Sequence, residues 1–108
     1  MLPQKVNLTI IILALNEELN ISQALKSVLN WPEEIFVLDS GSTDNTIKIA
    51  ESYGAKVFYR QFDNYANQRN HALKELPITT DWILFLDADE YLTEELKNEI
   101  SETISHTA

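Results

Sequence analysis

The sequence predicts an α/β fold, a Rossmann-like parallel sheet of about four strands in the order 3-2-1-4 with flanking helices. Three observations carry this reading. Apolar runs of strand length, without polar alternation, recur along the 108 residues and end in acidic or polar positions, the pattern of strands covered on both faces. Segments with helical apolar spacing separate them. The connections are too long for tight hairpins, so they imply right-handed parallel crossovers.

Leu8 to Leu15, rich in β-branched residues, is the first predicted strand. Asn16-Glu17-Glu18 follows with acids suited to the first turn of a helix, whose apolar face is Ile21, Leu25, Val28 and Leu29. Trp31-Pro32 is expected to stop that helix, and Glu34 to Leu38 forms a second strand ending at Asp39. After the loop Ser40-Gly41-Ser42-Thr43-Asp44, the positions Ile47, Ala50 and Tyr53 mark a second helix closed by Gly54. Ala55 to Tyr59 is a third short strand, and Tyr65 to Leu76 a third helix before Pro77. Trp82 to Leu86 is the fourth strand. Thr93 with Glu94 and Glu95 opens a last helix striped by Leu96, Ile100 and Ile104, and Ser105 to Ala108 reads as a frayed tail.

No linker, repeat or low-complexity stretch divides the chain, so residues 1–108 read as one unit. The net charge of −9 argues against a nucleic-acid surface or an anionic-membrane patch, both of which need clustered Lys and Arg. Without cysteine there is no disulfide frame and no thiolate metal site, which suits a reducing compartment, and the expected location is cytoplasmic. No apolar stretch approaches the length of a membrane span, and the N-terminus lacks the pattern of a signal peptide.

The chemistry concentrates at strand ends. In an order 3-2-1-4 the crevice opens among strands 1, 2 and 4, which end in Asn16-Glu17, Asp39 and Asp87-Ala88-Asp89-Glu90. Asp87 and Asp89 repel each other unless a cation or donors compensate them, and a hard divalent ion, Mg²⁺ or Mn²⁺, is the natural partner. The same residues also fit a turn ahead of a helix. Asp39 beside a glycine turn suits a nucleoside, and equally suits an Asx-type turn in which Asp44 starts the next helix. The block Asn67-Gln68-Arg69-Asn70 is by default a solvated helix face, although the guanidinium fork of Arg69 matches phosphate or nucleobase oxygens. His71 reads as a surface or partly packed residue, with no second ligand at metal spacing.

Four segments in order decide among these alternatives: Thr9 to Glu18 (TIIILALNEE), Val37 to Thr46 (VLDSGSTDNT), Gln68-Arg69-Asn70 and Asp87-Ala88-Asp89. Together they closely resemble the opening half of glycosyltransferase family 2, over nearly the whole chain. The resemblance implies a GT-A fold with a nucleoside diphosphate sugar, expected to be a UDP-sugar, over the strand ends and a divalent metal bridging its diphosphate. It implies that Leu15 and Glu17 line the nucleobase and ribose pocket, that Asp39 binds the base, and that Arg69 is the pocket arginine. Asp87 would face the ribose and a metal-bound water and share the metal with Asp89, its direct ligand, while Glu90 supports the pair. The subgroup it most resembles contains lipopolysaccharide-core glucosyltransferases, which implies a saccharide or lipid-linked acceptor, a role in the cell envelope, and peripheral association of the full enzyme with the inner face of the membrane.

Family members transfer sugar with inversion, using a carboxylate base well downstream of the Asp-x-Asp motif. The chain ends about twenty residues after Asp89, so the base and the acceptor half are expected outside it and no catalytic residue within it. The reading is therefore the donor-binding half of a glycosyltransferase, against the alternative of a nucleotide- and metal-binding remnant without transferase activity. Strand 4 is left as an apolar edge, from which self-association is expected. A receiver-like signalling domain also has acidic strand ends, but it needs a fifth strand carrying a lysine, and none follows Asp89.

Overall fold

In the computed structural model, which describes residues 5–106, the chain alternates strand and helix throughout: β1 Val6–Ala14, α1 Ile21–Val28, β2 Pro32–Asp39, α2 Thr46–Ser52, β3 Lys56–Tyr59, α3 Tyr65–Glu75, β4 Trp82–Asp87 and α4 Glu94–His106. The sheet is parallel with order β3-β2-β1-β4, as the crossover argument predicts. The central strand β1 is the most buried, with Ile10, Ile11 and Ile12 wholly inaccessible.

Alternation along β1 sorts the core into two layers. Leu8, Ile10, Ile12 and Ala14 face Ile21, Ala24, Leu25 and Val28 of α1, together with Ala50 of α2 and the flank of α4. Ile11 points the other way, with Phe36 and Leu38 of β2, onto Ala72 of α3 and Leu76 at its C-cap. On that second face the Phe36 and Phe58 rings meet edge to face at 5.3 Å. Burying both faces of β1 is the main apolar gain available to so short a chain.

Several local expectations are corrected. Helix α1 begins at Ile21 rather than at Asn16 to Glu18, because Asn16 has a φ of +51° and turns the chain out of helical geometry. Its end precedes Trp31-Pro32: Leu29 is extended and Asn30, at φ +61°, reverses the chain. Pro32 instead opens β2, where a missing amide is tolerated. On α2, Ile49 rather than Ile47 joins Tyr53 and Ala50 in the core. Helix α4 continues through Ser105 to His106, so the frayed tail does not begin at Ser105, and residues 107 and 108 lie outside the described residues. Of its stripe, Ile100 and Ile104 pack on the core while Leu96 stays exposed. The apolar run of β4 is not covered on both faces: Leu86 is buried, Ile83, Leu84 and Phe85 are half-buried, and Trp82 is exposed. The cause is its position, since β4 pairs with β1 alone.

At the opposite end of the sheet from the acidic strand ends, Glu34 of β2 ties the segment before β4. Thr9 Oγ1 and the Thr79 amide donate to the same Glu34 oxygen at 2.7 and 2.8 Å. Burial pushes this carboxyl up, but the hydrogen bonds from Thr79 and Thr9 and the charge of Lys56 outweigh it and hold it below its ordinary value. Glu34→Ala is expected to cost about 1 kcal/mol near neutral pH. A lowered folded pKa gives stability that is complete above the unfolded value of about 4.3 and is lost as pH falls through the folded value. Urea melts at pH 7 and pH 3 check this: the gap between variant and parent should shrink at pH 3, and an equal gap at both would show that the charge of Glu34 contributes nothing.

Candidate functional site

The register of the sheet brings the acidic strand ends level. Ala14 of β1 pairs with Asp39 of β2, and Leu13 pairs with Asp87 of β4, so the two aspartates flank the last residues of the central strand. The amides just beyond them keep the ladder going: Ser40 donates to Ala14 O at 2.9 Å and Ala88 to Leu13 O at 3.2 Å. Above these ends opens a cavity of about 340 Å³. Leu15 and Glu17 line it from the turn after β1, Ser40 from just beyond β2, Asp87 and Asp89 from the end of β4 and the turn after it, and Phe62, Tyr65 and Gln68 from the β3–α3 connection and the start of α3.

The two carboxylates play different parts. Asp39 is fully buried and lies behind Ser40 rather than on the cavity wall. The amides of Gly41 and Ser42 donate to its Oδ2 at 2.9 and 2.7 Å, and the Ser42 hydroxyl to its Oδ1 at 2.6 Å. Gly41, at φ +108°, takes a backbone conformation that a side chain would strain. The loop so formed is laced to the β1–α1 turn. The Asn16 amide donates to Ser42 Oγ and the Thr43 amide to Asn16 Oδ1, each at 2.8 Å, while the Glu17 amide reaches Thr46 Oγ1 at 2.9 Å. Asp44 lies one residue ahead of Asn45, the N-cap of α2, and leads into the helix by accepting from the Thr46 amide and hydroxyl. That hydroxyl bond, above all, holds its carboxyl below the ordinary value.

Asp87, by contrast, is compensated only in part. Burial first, then the charges of Glu90 and Asp89, with Glu17 adding, push its carboxyl up, and Arg69 opposes them only in part. The turn carrying it is fixed by a reciprocal pair: the Asp87 amide donates to Glu90 Oε1 at 2.8 Å and the Glu90 amide to Asp87 O at 2.9 Å. Glu90 thus holds the turn from behind. Among the described residues no three His, Cys, Asp or Glu side chains gather as a ready-made metal cage. Two crowded carboxylates facing an open cavity fit a hard ion of the Mg²⁺ type, which takes one or two carboxylates and completes its shell with substrate oxygens and water.

Arg69 is exposed on α3 with its guanidinium 5.8 Å from the Phe85 ring centroid, on the α3 side of β4, and it is not on the cavity wall. It reaches the site electrostatically, through Asp87. Within the polar block, Gln68 departs from the solvated-face expectation and is buried. Ser40, Phe62, Tyr65 and Gln68 are the cavity residues that sequence reasoning missed. Ser40 and Gln68 lie in two of the segments that carry the family resemblance, Val37 to Thr46 and Gln68-Arg69-Asn70, whereas nothing in the sequence marked Phe62 and Tyr65.

Comparison with known proteins bears on this arrangement. The family model described as glycosyl transferase family 2 matches residues 9–107. An uncharacterized glycosyltransferase of Rickettsia typhi is 43% identical over 89 residues, covering 82% of this chain and 30% of that protein. The lipopolysaccharide core biosynthesis glycosyltransferase LpsC of Rhizobium meliloti is 33% identical over 106 residues, covering 94% of this chain and 38% of its own. The chain therefore spans about a third of the length of the curated relatives it matches. Among solved structures, Staphylococcus aureus TarS (residues 1–349) in complex with UDP superposes with a TM-score of 0.70 at 27% identity, covering 94% of this chain and 32% of that one. Glucosyl-3-phosphoglycerate synthase of Mycobacterium tuberculosis, in complex with Mn²⁺, UDP and glucosyl-3-phosphoglycerate, gives 0.62 at 25% identity over 80% of this chain and 36% of that one.

Asp39→Asn tests the loop. An amide offers one acceptor oxygen to three donors and turns an N–H₂ toward the rest, so the loss of a charge-assisted hydrogen bond should cost about 1.5 to 3 kcal/mol. The urea midpoint should fall accordingly. A variant as stable as the parent would show that Asp39 does not build this loop.

Proposed function

The chain belongs to glycosyl transferase family 2, and from that premise we propose that it is the donor-binding part of an inverting, metal-dependent glycosyltransferase that takes a UDP-sugar. The observation that carries the proposal is the level placement of Asp39 and Asp87 on either side of the end of β1, beneath a cavity that also receives Asp89, Leu15 and Glu17. In this reading the nucleoside lies along the β1 and β2 ends, where Leu15 offers an apolar contact and Glu17 an acceptor for ribose hydroxyls. The diphosphate lies toward β4. A divalent ion, Mn²⁺ or Mg²⁺, would be held by Asp89 and Asp87 and would neutralise charge on the leaving diphosphate. The complexes of the Mycobacterium tuberculosis synthase with Mn²⁺ and UDP, and of TarS with UDP, support the choice of donor and ion.

Arg69 stands where its charge favours the ionised form of Asp87, which keeps that carboxylate ready for a cation. Glu90 fixes the turn and is proposed not to ligate. The likeness to LpsC supports a role in lipopolysaccharide or related envelope synthesis, with a saccharide or lipid-linked acceptor. No helix among the described residues is long and apolar enough to cross a membrane, and work at the cytoplasmic face of the inner membrane, by peripheral association, completes the proposal.

Titration calorimetry tests the donor site. UDP should bind more tightly with Mn²⁺ than without it, Asp89→Ala should abolish that dependence, and Glu90→Ala should retain most of it. Equal losses in the two variants would overturn the division of roles, and metal-independent binding by the parent would remove the ion from the site.

The exposed edge of β4 makes a second prediction. Trp82 to Leu86 is apolar and β-prone with no charge until Asp87, so the 108-residue chain should self-associate in light scattering, and, spanning about a third of the length of its relatives, it should show no sugar transfer to an added saccharide acceptor. A stable monomer with measurable transfer would contradict both halves of that statement.

A further inference from the structure

The turn that carries Asp87 and Asp89 leaves the edge of the sheet, and residues 88–93 run as a turn and an irregular stretch to the start of α4. Two anchors hold this stretch. At one end the Ala88 amide donates to Leu13 O at 3.2 Å, which ties it to the central strand. At the other the Leu92 amide donates to Ser27 Oγ at 3.1 Å, across 65 residues of sequence. The direction of that second bond is forced, because an amide only donates, and the serine gives its own proton to Ala24 O at 2.7 Å. The Leu92 side chain packs on the core layer between α1 and β1.

Helix α1 thereby reaches both walls of the cavity. Its first turn grows out of the rim that carries Glu17, whose carbonyl accepts from the Asn20 and Ile21 amides at 3.0 and 2.8 Å. Its last turn holds Leu92 through Ser27, and Trp31, just beyond the helix, donates from Nε1 to Ser101 Oγ of α4 at 2.8 Å. The acidic turn needs such support. Asp87, Asp89 and Glu90 are all exposed within four residues, and like charges so crowded drive an unanchored segment apart. A small divalent ion tolerates little variation in ligand distance, so carboxylates that must first be gathered bind it more weakly than carboxylates the fold already holds.

Resting on the metal-dependent donor reading above, we propose that Ser27 is a positioning residue for the metal site: through the Leu92 amide it holds the segment that carries Asp89, so that Asp87 and Asp89 keep their spacing against mutual repulsion before a divalent ion binds. Ser27 touches neither carboxylate and acts from the far side of the turn, through backbone alone.

Calorimetry of UDP with and without Mn²⁺ on the 108-residue chain, together with amide exchange of Leu92 in the metal-free chain, tests this. Ser27→Ala suits a helix and removes one acceptor. It should weaken UDP in the presence of Mn²⁺ about fivefold, the worth of one neutral hydrogen bond, leave metal-free UDP binding unchanged, and speed the exchange of the Leu92 amide. Ser27→Thr keeps a hydroxyl that can reach the carbonyl three residues back and should behave as the parent in all three measurements. Glu34→Ala, at the far end of the sheet, loses stability without touching the turn and should keep the full effect of Mn²⁺. An effect of Mn²⁺ in Ser27→Ala equal to that in the parent overturns the inference and leaves the donor site standing. So does an equal loss in Ser27→Thr, which would take the hydroxyl out of the account, or in Glu34→Ala, which would reduce the effect to stability. A parent whose UDP binding ignores Mn²⁺ overturns the metal reading and this inference with it. Should Ser27→Ala not fold in a urea melt, Ser27→Cys, close in size and a weak acceptor, is measured in its place with the same outcomes.

Discussion

A carboxylate taken wholly out of water is costly unless donors surround it, and the arrangement at the carboxyl end of this sheet follows from how Asp39 meets that condition. Its two oxygens collect the donors of Gly41 and Ser42, which fixes a loop whose next residues reach across to the β1–α1 turn. Asn16, Glu17 and Glu18 receive or supply hydrogen bonds to Ser42, Thr43, Asp44, Asn45 and Thr46. Two loops that are separate in sequence thereby become one rigid rim, and Leu15 and Glu17 are carried to the cavity on it.

The other side of the cavity obeys the opposite rule. Asp87, Asp89 and Glu90 are crowded on one turn, and what compensation Asp87 receives, from Arg69, leaves its carboxyl raised. A satisfied buried acid thus stands beside an exposed one that is not satisfied. Like-charge repulsion in an open cavity marks a place where a ligand can relieve it, and a hard divalent cation is the kind of ligand that does so. The turn itself does not depend on that ligand, since Glu90 and Asp87 close it through backbone amides.

Much of the α/β design was legible because its signals are local or topological. Unbroken apolar runs such as Ile10 to Leu13 mark buried strands whatever their neighbours, and long connections between parallel strands leave few topologies, so the order β3-β2-β1-β4 could be inferred. Boundaries were less legible. Asn16 and Asn30 take left-handed conformations that composition does not announce, and they shifted both ends of α1. Trp82 to Leu86 reads like an interior strand because apolar content reports hydrophobicity and not the number of neighbours. Its edge position follows from the inferred strand order, whereas the partial exposure of Ile83, Leu84 and Phe85 depends on how much of the strand its neighbours cover.

The sequence by itself determined the strand order, the family resemblance and the set of acids at the strand ends, since each rests on residue type and spacing along the chain. Tertiary structure alone decided how those residues are used. Asp39 turned inward to build a loop, Arg69 settled over Phe85 outside the cavity, and Gln68 was buried with its amide directed at Ser40, 28 residues earlier in the chain. The physical reason is that direction and burial are properties of contacts between distant segments. A glutamine in a polar block carries the same donors and acceptor wherever it lies, and only the packing of α3 against the end of β2 selects which partner each of them meets.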